Sequence, residues 1–486
     1  MFFRNKDKDQ LKKDLFNIIM SINDTVSVTL VGSFWKKNNL KDFSDIDIVI
    51  IMKKINKKKY YECLNKINKI DLRKYNLGHL DLLINPTFGP LKFDNKNNIV
   101  FHTMIYDLNS HIAHVIKSPF TCYDWERSLD YVGQSLKDIF PVGKIQLADF
   151  FMSRRGINDY IKNLTNNYIF YQKYELKRNF LVLKKKKYII DKKHKIEFSY
   201  HLCKFLIINF YKFEMQKNKI PEANEIKTII KKVFNKDYAY YLRNFILLKK
   251  LKDKKNINNK NFSLRFTKKF IKNFQNYLTI YQKKEIIFLR HGKTKLNDGT
   301  FLGINRDPGI KNNKKILSDL KFLKNKKITI LFSSGLRRAR ETAKLISTKD
   351  TFIVSDLLNE KNYGKGEGLN YQHLKKRYPN IIEEWNKKND PRFPSGENDA
   401  DVIKRINLFK KKLIKTININ KKRGTIVVIS HNALLRCLIG DFFNTPRHLW
   451  VKINIDHNKP INCLLRGNKL LPNLDRYSFF KNLIIQ

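Results

Sequence analysis

The chain reads as a multidomain α/β protein: an N-terminal α+β sheet over residues 1–135, a central all-α region over 136–281 and a C-terminal doubly wound α/β unit over 282–486. Short apolar runs that end in polar clusters recur toward both ends of the chain, as buried strands do. Between them Gly156 is the last glycine before Gly292, and apolar and aromatic residues return at helical intervals. Size agrees: 486 residues allow about three domains of ordinary length, and 42 % apolar residues are enough to build their cores.

The first element is an amphipathic helix over residues 8–22, with Leu11, Leu15, Ile18 and Ile19 at helical spacing. A strand from Val26 to Val31 leads to Gly32-Ser33, and a second strand runs from Phe43 to Ile51. In it Asp45 and Asp47 alternate with Ile46 and Ile48, so both carboxylates face one side. Like charges on one face repel unless a divalent cation lies between them, and hard oxygen ligands suit Mg2+. The strand Leu80–Ile84 offers Asp81 as a further ligand. His79 beside it is read as a structural or surface histidine. Asn98–Leu108 is one more strand and contains His102, with His111 and His114 following. The last two share a helix face, but no third ligand at suitable spacing accompanies them, so they are read as partly buried polar contacts. Trp125 and its aromatic neighbours close the core of this part.

Gly32-Ser33, then Asp45-Ile46-Asp47 on a strand, then Asp81 on a later strand resemble the signature of the nucleotidyltransferase superfamily typified by DNA polymerase beta. The resemblance implies that Gly32 lets the backbone approach a nucleoside triphosphate and that Ser33 donates a hydrogen bond to it. It also implies that Asp45, Asp47 and Asp81 hold Mg2+, which activates the acceptor oxygen and stabilises departing pyrophosphate. The competing reading makes Asp45 and Asp47 the polar face of an exposed strand.

In the central region Tyr168, Phe170, Tyr171 and Tyr174, then Tyr200, Leu202, Phe205 and Leu206, then Tyr238 to Leu248 recur at helical intervals. Nucleotidyltransferases of the superfamily commonly carry such a helical partner, which closes the nucleotide cleft. The interleaved lysines and aromatics of Lys184–Tyr188 could bind RNA by charge and stacking. A packed helix whose lysines extend to solvent is the preferred reading. Lys252–Lys260 is a polar loop, and a helix over about 263–281 delivers the chain to the next strand.

The C-terminal unit opens on the apolar run Glu285–Leu289, which places Arg290-His291-Gly292 at a strand end, where open α/β sheets put their ligands. Ile328–Ser334 and Gly424–Ser430 repeat the pattern, the first running into Gly335–Ala343 as a helix start and the second into His431. An imidazole attacks phosphorus only if neighbouring cations neutralise the non-bridging oxygens, and a guanidinium is a planar fork suited to phosphate. Here the chain resembles the histidine phosphatase superfamily, which includes the phosphoglycerate mutases. The Arg-His-Gly-x-Thr signature matches Arg290–Thr294, a Ser-x-Leu-x-Arg-Ala-x-x-Thr-Ala signature is close to Ser333–Ala343, and a late Ser-His matches Ser430-His431. Glu360 ahead of Gly364-Lys365-Gly366-Glu367-Gly368, and Pro394-Ser395-Gly396-Glu397, match further segments, so the likeness spans roughly residues 284–460. It implies that His291 becomes a phosphohistidine, that Arg290, Arg338 and His431 hold the phosphoryl oxygens, and that Glu360 protonates the leaving group and later activates water. No metal is implied for this unit. Arg306-Asp307-Pro308-Gly309-Ile310 departs from the family's Asp-x-Pro-Leu, which leaves the substrate contacts open. Tyr371–Tyr378 is read as a helix, Trp385 as part of a loop-rich cap, 398–416 as an amphipathic helix, and the tail from Trp450 as the sheet edge.

The formal net charge of +54, from 98 Lys and Arg against 44 Asp and Glu, attracts phosphorylated small molecules, nucleic acid or anionic membrane. It also follows from codon usage in an A/T-rich genome, which is the preferred explanation. The charge is spread along the chain without a groove-reading motif, so nucleic acid is a less favoured partner than a phosphorylated small molecule and a nucleoside triphosphate. Cys63, Cys122, Cys203, Cys437 and Cys463 are scattered and unpaired in pattern, as in a reduced cytoplasmic protein. No signal peptide or membrane-spanning run is evident, so no membrane partner is expected. The expected function is a bifunctional phosphoryl-chemistry enzyme. Two alternatives are a phosphatase whose N-terminal domain only senses nucleotide, and a basic RNA-associated protein that adds nucleotides to an RNA end.

Overall fold

The computed structural model describes residues 5–34, 45–84, 97–177, 180–190, 194–252, 260–280, 285–347, 351–420 and 424–484. Phe43 and Ser44 of the second expected strand, and residues 253–259 of the expected polar loop, lie outside the described residues. Two compact units form, Met1–Ile145 with Asp149–Tyr277, and Gln146–Ala148 with Leu278–Gln486. The sheet and the central region expected on either side of residue 135 thus belong to one unit.

In the first unit the helix Asn5–Met20 carries Leu11, Leu15 and Ile19 four residues apart, which makes one apolar stripe, and all three are fully buried. They pack on a sheet built from β1 (Thr25–Val31), β2 (Asp45–Met52), β3 (Asp81–Ile84), β4 (Asn98–Asp107) and β5 (Tyr131–Gly133). The strand order is β3-β4-β2-β1-β5. β2 runs parallel to β4 and antiparallel to β1. Ile46, Ile48, Ile50 and Met52 enter the core with the helix, so strand alternation turns Asp45 and Asp47 to the opposite face.

β4 passes directly into the helix Leu108–Lys117, because Asp107 and Ser110 satisfy each other's backbone amides at its start. His111 and His114 lie on its buried side. The His114 ring stacks on Tyr106 at 5.2 Å and on Trp125 at 5.1 Å, so the two histidines expected as partly buried polar contacts are buried, and His114 packs on aromatic rings. The central region is helical over Ile157–Asn166, Lys195–Met215, Ala223–Phe234, Tyr238–Leu251 and Lys260–Thr279. The fully buried Lys212 ammonium meets Asp124 at 2.8 Å and ties the longest of these helices to the sheet portion. Removing one partner of such a pair leaves an uncompensated buried charge, which locks the two parts together.

One central segment departs from the all-α expectation. Tyr168–Lys177 (β6) and Phe180–Ile189 (β7) pair antiparallel as a two-stranded hairpin. Aromatic and β-branched side chains favour strands, and Tyr168, Phe170 and Tyr174 fit a period of two as well as a helical one. Lys184–Tyr188 accordingly lie on a strand rather than on a packed helix.

The second unit is built on six strands: β8 (Glu285–Arg290), β9 (Ile328–Ser333), β10 (Ile353–Val354), β11 (Thr425–Ser430), β12 (Ile461–Arg466) and β13 (Lys469–Pro472). Their order is β10-β9-β11-β8-β12-β13. β10, β9, β11 and β8 run parallel, and β12 and β13 close the edge antiparallel, as the tail was expected to do. The helices Tyr371–Arg377 and Asp399–Ile419 fall where the sequence places them. Trp385 is helical rather than in a loop, because Pro379 starts the helix Pro379–Asn386. All five cysteines are buried. No described helix is long and apolar enough to cross a membrane.

Burial lowers the His111 pKa from 6.5 to about 4, and it lowers that of His114 in the same direction. Both are neutral when folded and take up protons near 6.5 on unfolding, so stability is complete above that value and is lost as pH falls toward 4. The urea midpoint of the first unit should therefore drop across this window, and His111→Gln should flatten the drop. A wild-type midpoint that is level from pH 6.5 to 4 would contradict buried neutral imidazoles.

Candidate active sites

β11 pairs in parallel with β8 on one side and β9 on the other, Ser430 opposite Arg290 and Ile429 opposite Ser333. Three strands therefore end along one edge, and the residues that follow them meet. The His291 and His431 rings lie 5.0 Å apart. Both are buried, as are Arg338 and Glu360. Arg338 stands in the first turn of the helix Arg337–Ile346, just past β9. Glu360 follows the turn Asp356–Leu358, and its Oε1 accepts from the amides of Lys361 at 2.9 Å and Ala433 at 3.1 Å. This leaves Oε2 for proton transfer. Arg290, Arg338, His291, His431 and Glu360 are thus brought together, as the sequence predicts.

The hydrogen bonds set the tautomers. His291 Nδ1 donates to the Gly292 carbonyl at 2.7 Å, which leaves Nε2 with its lone pair free for attack. Ser334 Oγ gives its proton to Asn359 Oδ1 at 2.7 Å, an oxygen that also accepts from the Gly335 amide. His431 Nε2, 2.8 Å from Ser334 Oγ, must then be the donor, so the neutral ring keeps its lone pair on Nδ1. Burial first, then Arg338 and Arg290, holds the His291 pKa well below 6.5. Burial, His291 and the same arginines do so for His431.

Arg338 also organises the loop after β8, donating to the carbonyls of Gly303 and Arg306 and to Asp307 Oδ1 at 2.8, 3.1 and 3.0 Å. Arg290 donates to the Ile455 carbonyl at 2.9 Å. Arg290 Nε, Arg338 Nε and His431 Nδ1 are buried without a hydrogen-bond partner among the described residues. Two residues at this edge escape a reading of the sequence. His457 donates from Nδ1 to the His291 carbonyl at 2.7 Å, with its ring 5.4 Å from that of His291. Asn359 anchors Ser334. Asn359 directly precedes Glu360, whereas His457 is distant from every motif and carries no sequence signal.

The second site lies at the end of β1 and the start of β2. Gly32 follows β1 with φ of +76°, and a Cβ there would meet Asp47 Oδ2 at 2.1 Å, so only glycine allows the turn to close over that carboxylate. Gly32-Ser33 and the Asp45/Asp47 pair therefore share one strand end. Among the described residues, the third group beside them is His102 rather than Asp81. β4 sets His102 opposite Asp47, and its Nδ1 lies 3.1 Å from Asp47 Oδ1 and 3.4 Å from Asp45 Oδ2. Asp81 pairs with Asn98 on the far side of β4, four residues back, or roughly 13 Å along the strand. The expected carboxylate triad is corrected accordingly: register along β4, which the sequence does not specify, brings an imidazole to the doublet.

Asp47 is held above the ordinary carboxylate range by burial, opposed by the His102 hydrogen bond. For His102, burial alone would lower the pKa, but bonds to Asp45 and Asp47 raise it to about 9. Arg155, held at a positive φ of 60°, adds a favourable charge for the Asp47 carboxylate. It carries no sequence signal, being one arginine among many with no motif around it.

The model of the histidine phosphatase superfamily (branch 1) matches residues 286–470, and that of the nucleotidyltransferase domain matches residues 12–106. A 6-phosphofructo-2-kinase/fructose-2,6-bisphosphatase of Arabidopsis thaliana is 32 % identical over 168 residues, 34 % of this chain and 22 % of that protein. A Schizosaccharomyces pombe phosphoglycerate mutase is 29 % identical over 168 residues, 32 % of this chain and 78 % of its own length. The chain spans 22 % and 35 % of the Arabidopsis thaliana and Caenorhabditis elegans kinase/bisphosphatases that it matches. An Entamoeba histolytica phosphoserine phosphatase structure with 3-phosphoglyceric acid has 20 % identity and a TM-score of 0.35, over 39 % of this chain and 95 % of the other. The chain therefore joins a nucleotidyltransferase domain at its N-terminal end to a histidine phosphatase superfamily domain at its C-terminal end.

Proposed function

We propose that the chain is a bifunctional enzyme: a phosphomonoesterase acting through a phosphohistidine, joined to a nucleotidyltransferase that moves a nucleoside monophosphate onto an acceptor. The observation that carries the first half is the set of three buried nitrogens, on Arg290, Arg338 and His431, without partners around the free Nε2 of His291. The two guanidinium Nε–H groups are buried donors, costly when unpartnered, and phosphoryl oxygens would satisfy them, as they would His431 Nδ1 once it is protonated.

In the first step His291 Nε2 attacks phosphorus while Glu360 gives a proton to the leaving oxygen. The N–P bond forms as the P–O bond breaks, with charge building on three equatorial oxygens. Arg290 and Arg338 neutralise that charge. His431 contributes once it takes a proton on Nδ1, which arrival of a phosphate dianion favours. In the second step Glu360 accepts a proton from water as it attacks phosphorus, and His291 leaves as free imidazole. Small phosphorylated metabolites are the substrate class, in keeping with relatives named as a fructose-2,6-bisphosphatase and a phosphoglycerate mutase.

In the N-terminal domain Gly32 and Ser33 would meet the triphosphate, with Arg155 as an added cation. Asp45 and Asp47 offer hard oxygens that fit a divalent ion such as Mg2+, which supplies charge neutralisation for pyrophosphate departure. A second reading, in which this domain binds nucleotide without turnover, is favoured by the separation of Asp81 from the doublet.

His291→Ala should lower kcat for an aryl phosphate by roughly ten-thousandfold or more, with the fold unchanged by circular dichroism. Ser334→Ala should reduce kcat by about tenfold to a hundredfold with KM little altered, and Ser334→Thr should restore it, because only the hydroxyl fixes the His431 tautomer. A KM effect alone would point to a packing role. Converting Asp45 and Asp47 together to Asn should abolish pyrophosphate release from nucleoside triphosphates and leave aryl phosphate hydrolysis intact. Loss of both activities would contradict independent sites.

A further inference from the structure

Asp45, Asp47 and His102 each present one donor atom, and the three atoms lie within 4.8 Å of one another. Bonds of about 2.1 Å to adjacent corners of an octahedral ion put neighbouring donors about 3 Å apart. The His102 Nδ1 separations of 3.1 and 3.4 Å from the two carboxylates already have that spacing. The donors are also held in place. Adjacent parallel strands set His102 opposite Asp47. Gly32 closes over Asp47 Oδ2 while Oδ1 faces the imidazole, so one oxygen is turned toward the common point. All three side chains remain partly open, at 18 % exposure for His102, 32 % for Asp45 and 24 % for Asp47, so an ion can enter from solvent.

From this geometry we propose that the nucleotidyltransferase domain holds a divalent transition-metal ion, with Mn2+ as the representative, through Asp45, Asp47 and the imidazole of His102, in preference to Mg2+, the Nδ1 proton that faces the aspartates passing to solvent as the ion binds. The inference rests on the nucleotidyltransferase reading of the domain and changes its ion. Mg2+ takes oxygen ligands and keeps several waters, whereas an imidazole nitrogen raises affinity for first-row transition ions. An exchange of the third carboxylate for an imidazole thus moves selectivity in a stated direction. Asp81, at the wrong register, takes no part.

The test uses the full chain. Mn2+ and Mg2+ affinities are measured by titration calorimetry, and pulsed electron paramagnetic resonance of bound Mn2+ reports nitrogen coupling. Wild type should bind one Mn2+ at least about tenfold more tightly than Mg2+, with a nitrogen signal. His102→Asp should erase the nitrogen signal and bring the Mn2+ to Mg2+ affinity ratio down by about tenfold, while Asp81→Asn leaves both unchanged. Circular dichroism and the urea midpoint of the first unit serve as the folding control for each variant. Mn2+ bound without nitrogen coupling, no Mn2+ bound, or a ratio unchanged in His102→Asp would each overturn the proposal. If Mn2+ binds with the nitrogen signal but no nucleoside triphosphate yields pyrophosphate, the metal site stands and the transfer reading falls.

Discussion

The placement of β11 between two parallel neighbours is the constraint on which the C-terminal chemistry depends. In a parallel ladder all strands end on the same side, so residues that follow three separate strands converge without any loop having to reach. The His291 amide continues the ladder by donating to the Ser430 carbonyl at 3.0 Å, which fixes the level at which His291 and His431 leave the sheet. A slip of one residue would turn His291 to the opposite face. The apolar cluster of Ile287, Leu289, Leu331, Val427 and Ile429 opposes such a slip, because it would expose buried side chains from three strands at once.

Gathering two guanidiniums and three imidazoles in a buried place has an electrostatic cost, and the structure limits it in two ways. The imidazoles are driven neutral by burial and by the neighbouring arginines, so the resting charge is smaller than the residue count implies. An acidic group supplies part of the remainder: Asp307 is ion-paired to Arg338 at 3.0 Å. A neutral His291 is also what the chemistry requires, since a protonated imidazole cannot attack phosphorus.

The N-terminal edge follows the same logic with the opposite charge. Parallel pairing of β2 with β4 sets a histidine against two aspartates, and the turn at Gly32 presses backbone onto one of them. The imidazole supplies positive charge to the doublet, and its bonds to Asp45 and Asp47 raise its pKa to about 9 despite burial. A bound cation would take over that role.

Much was legible in the sequence because it resides in local pattern. Alternation along Asp45–Met52 placed both aspartates on one face, and the apolar runs ahead of His291, Ser334 and His431 announced strand ends. Spacing of Leu11, Leu15 and Ile19 gave the opening helix. The hairpin Tyr168–Ile189 is not legible in the sequence because its aromatic spacing satisfies two periods, and pairing between strands decides between them. His457, Asn359 and His102 were not legible as members of a site, since each joins its partners through strand register or a long-range backbone contact. The sequence by itself determined which strand ends carry reactive groups, because side-chain alternation is a property of a single strand. Only the tertiary structure decided that His102, not Asp81, stands beside the aspartates, because register belongs to pairs of strands and is set by the whole packed sheet.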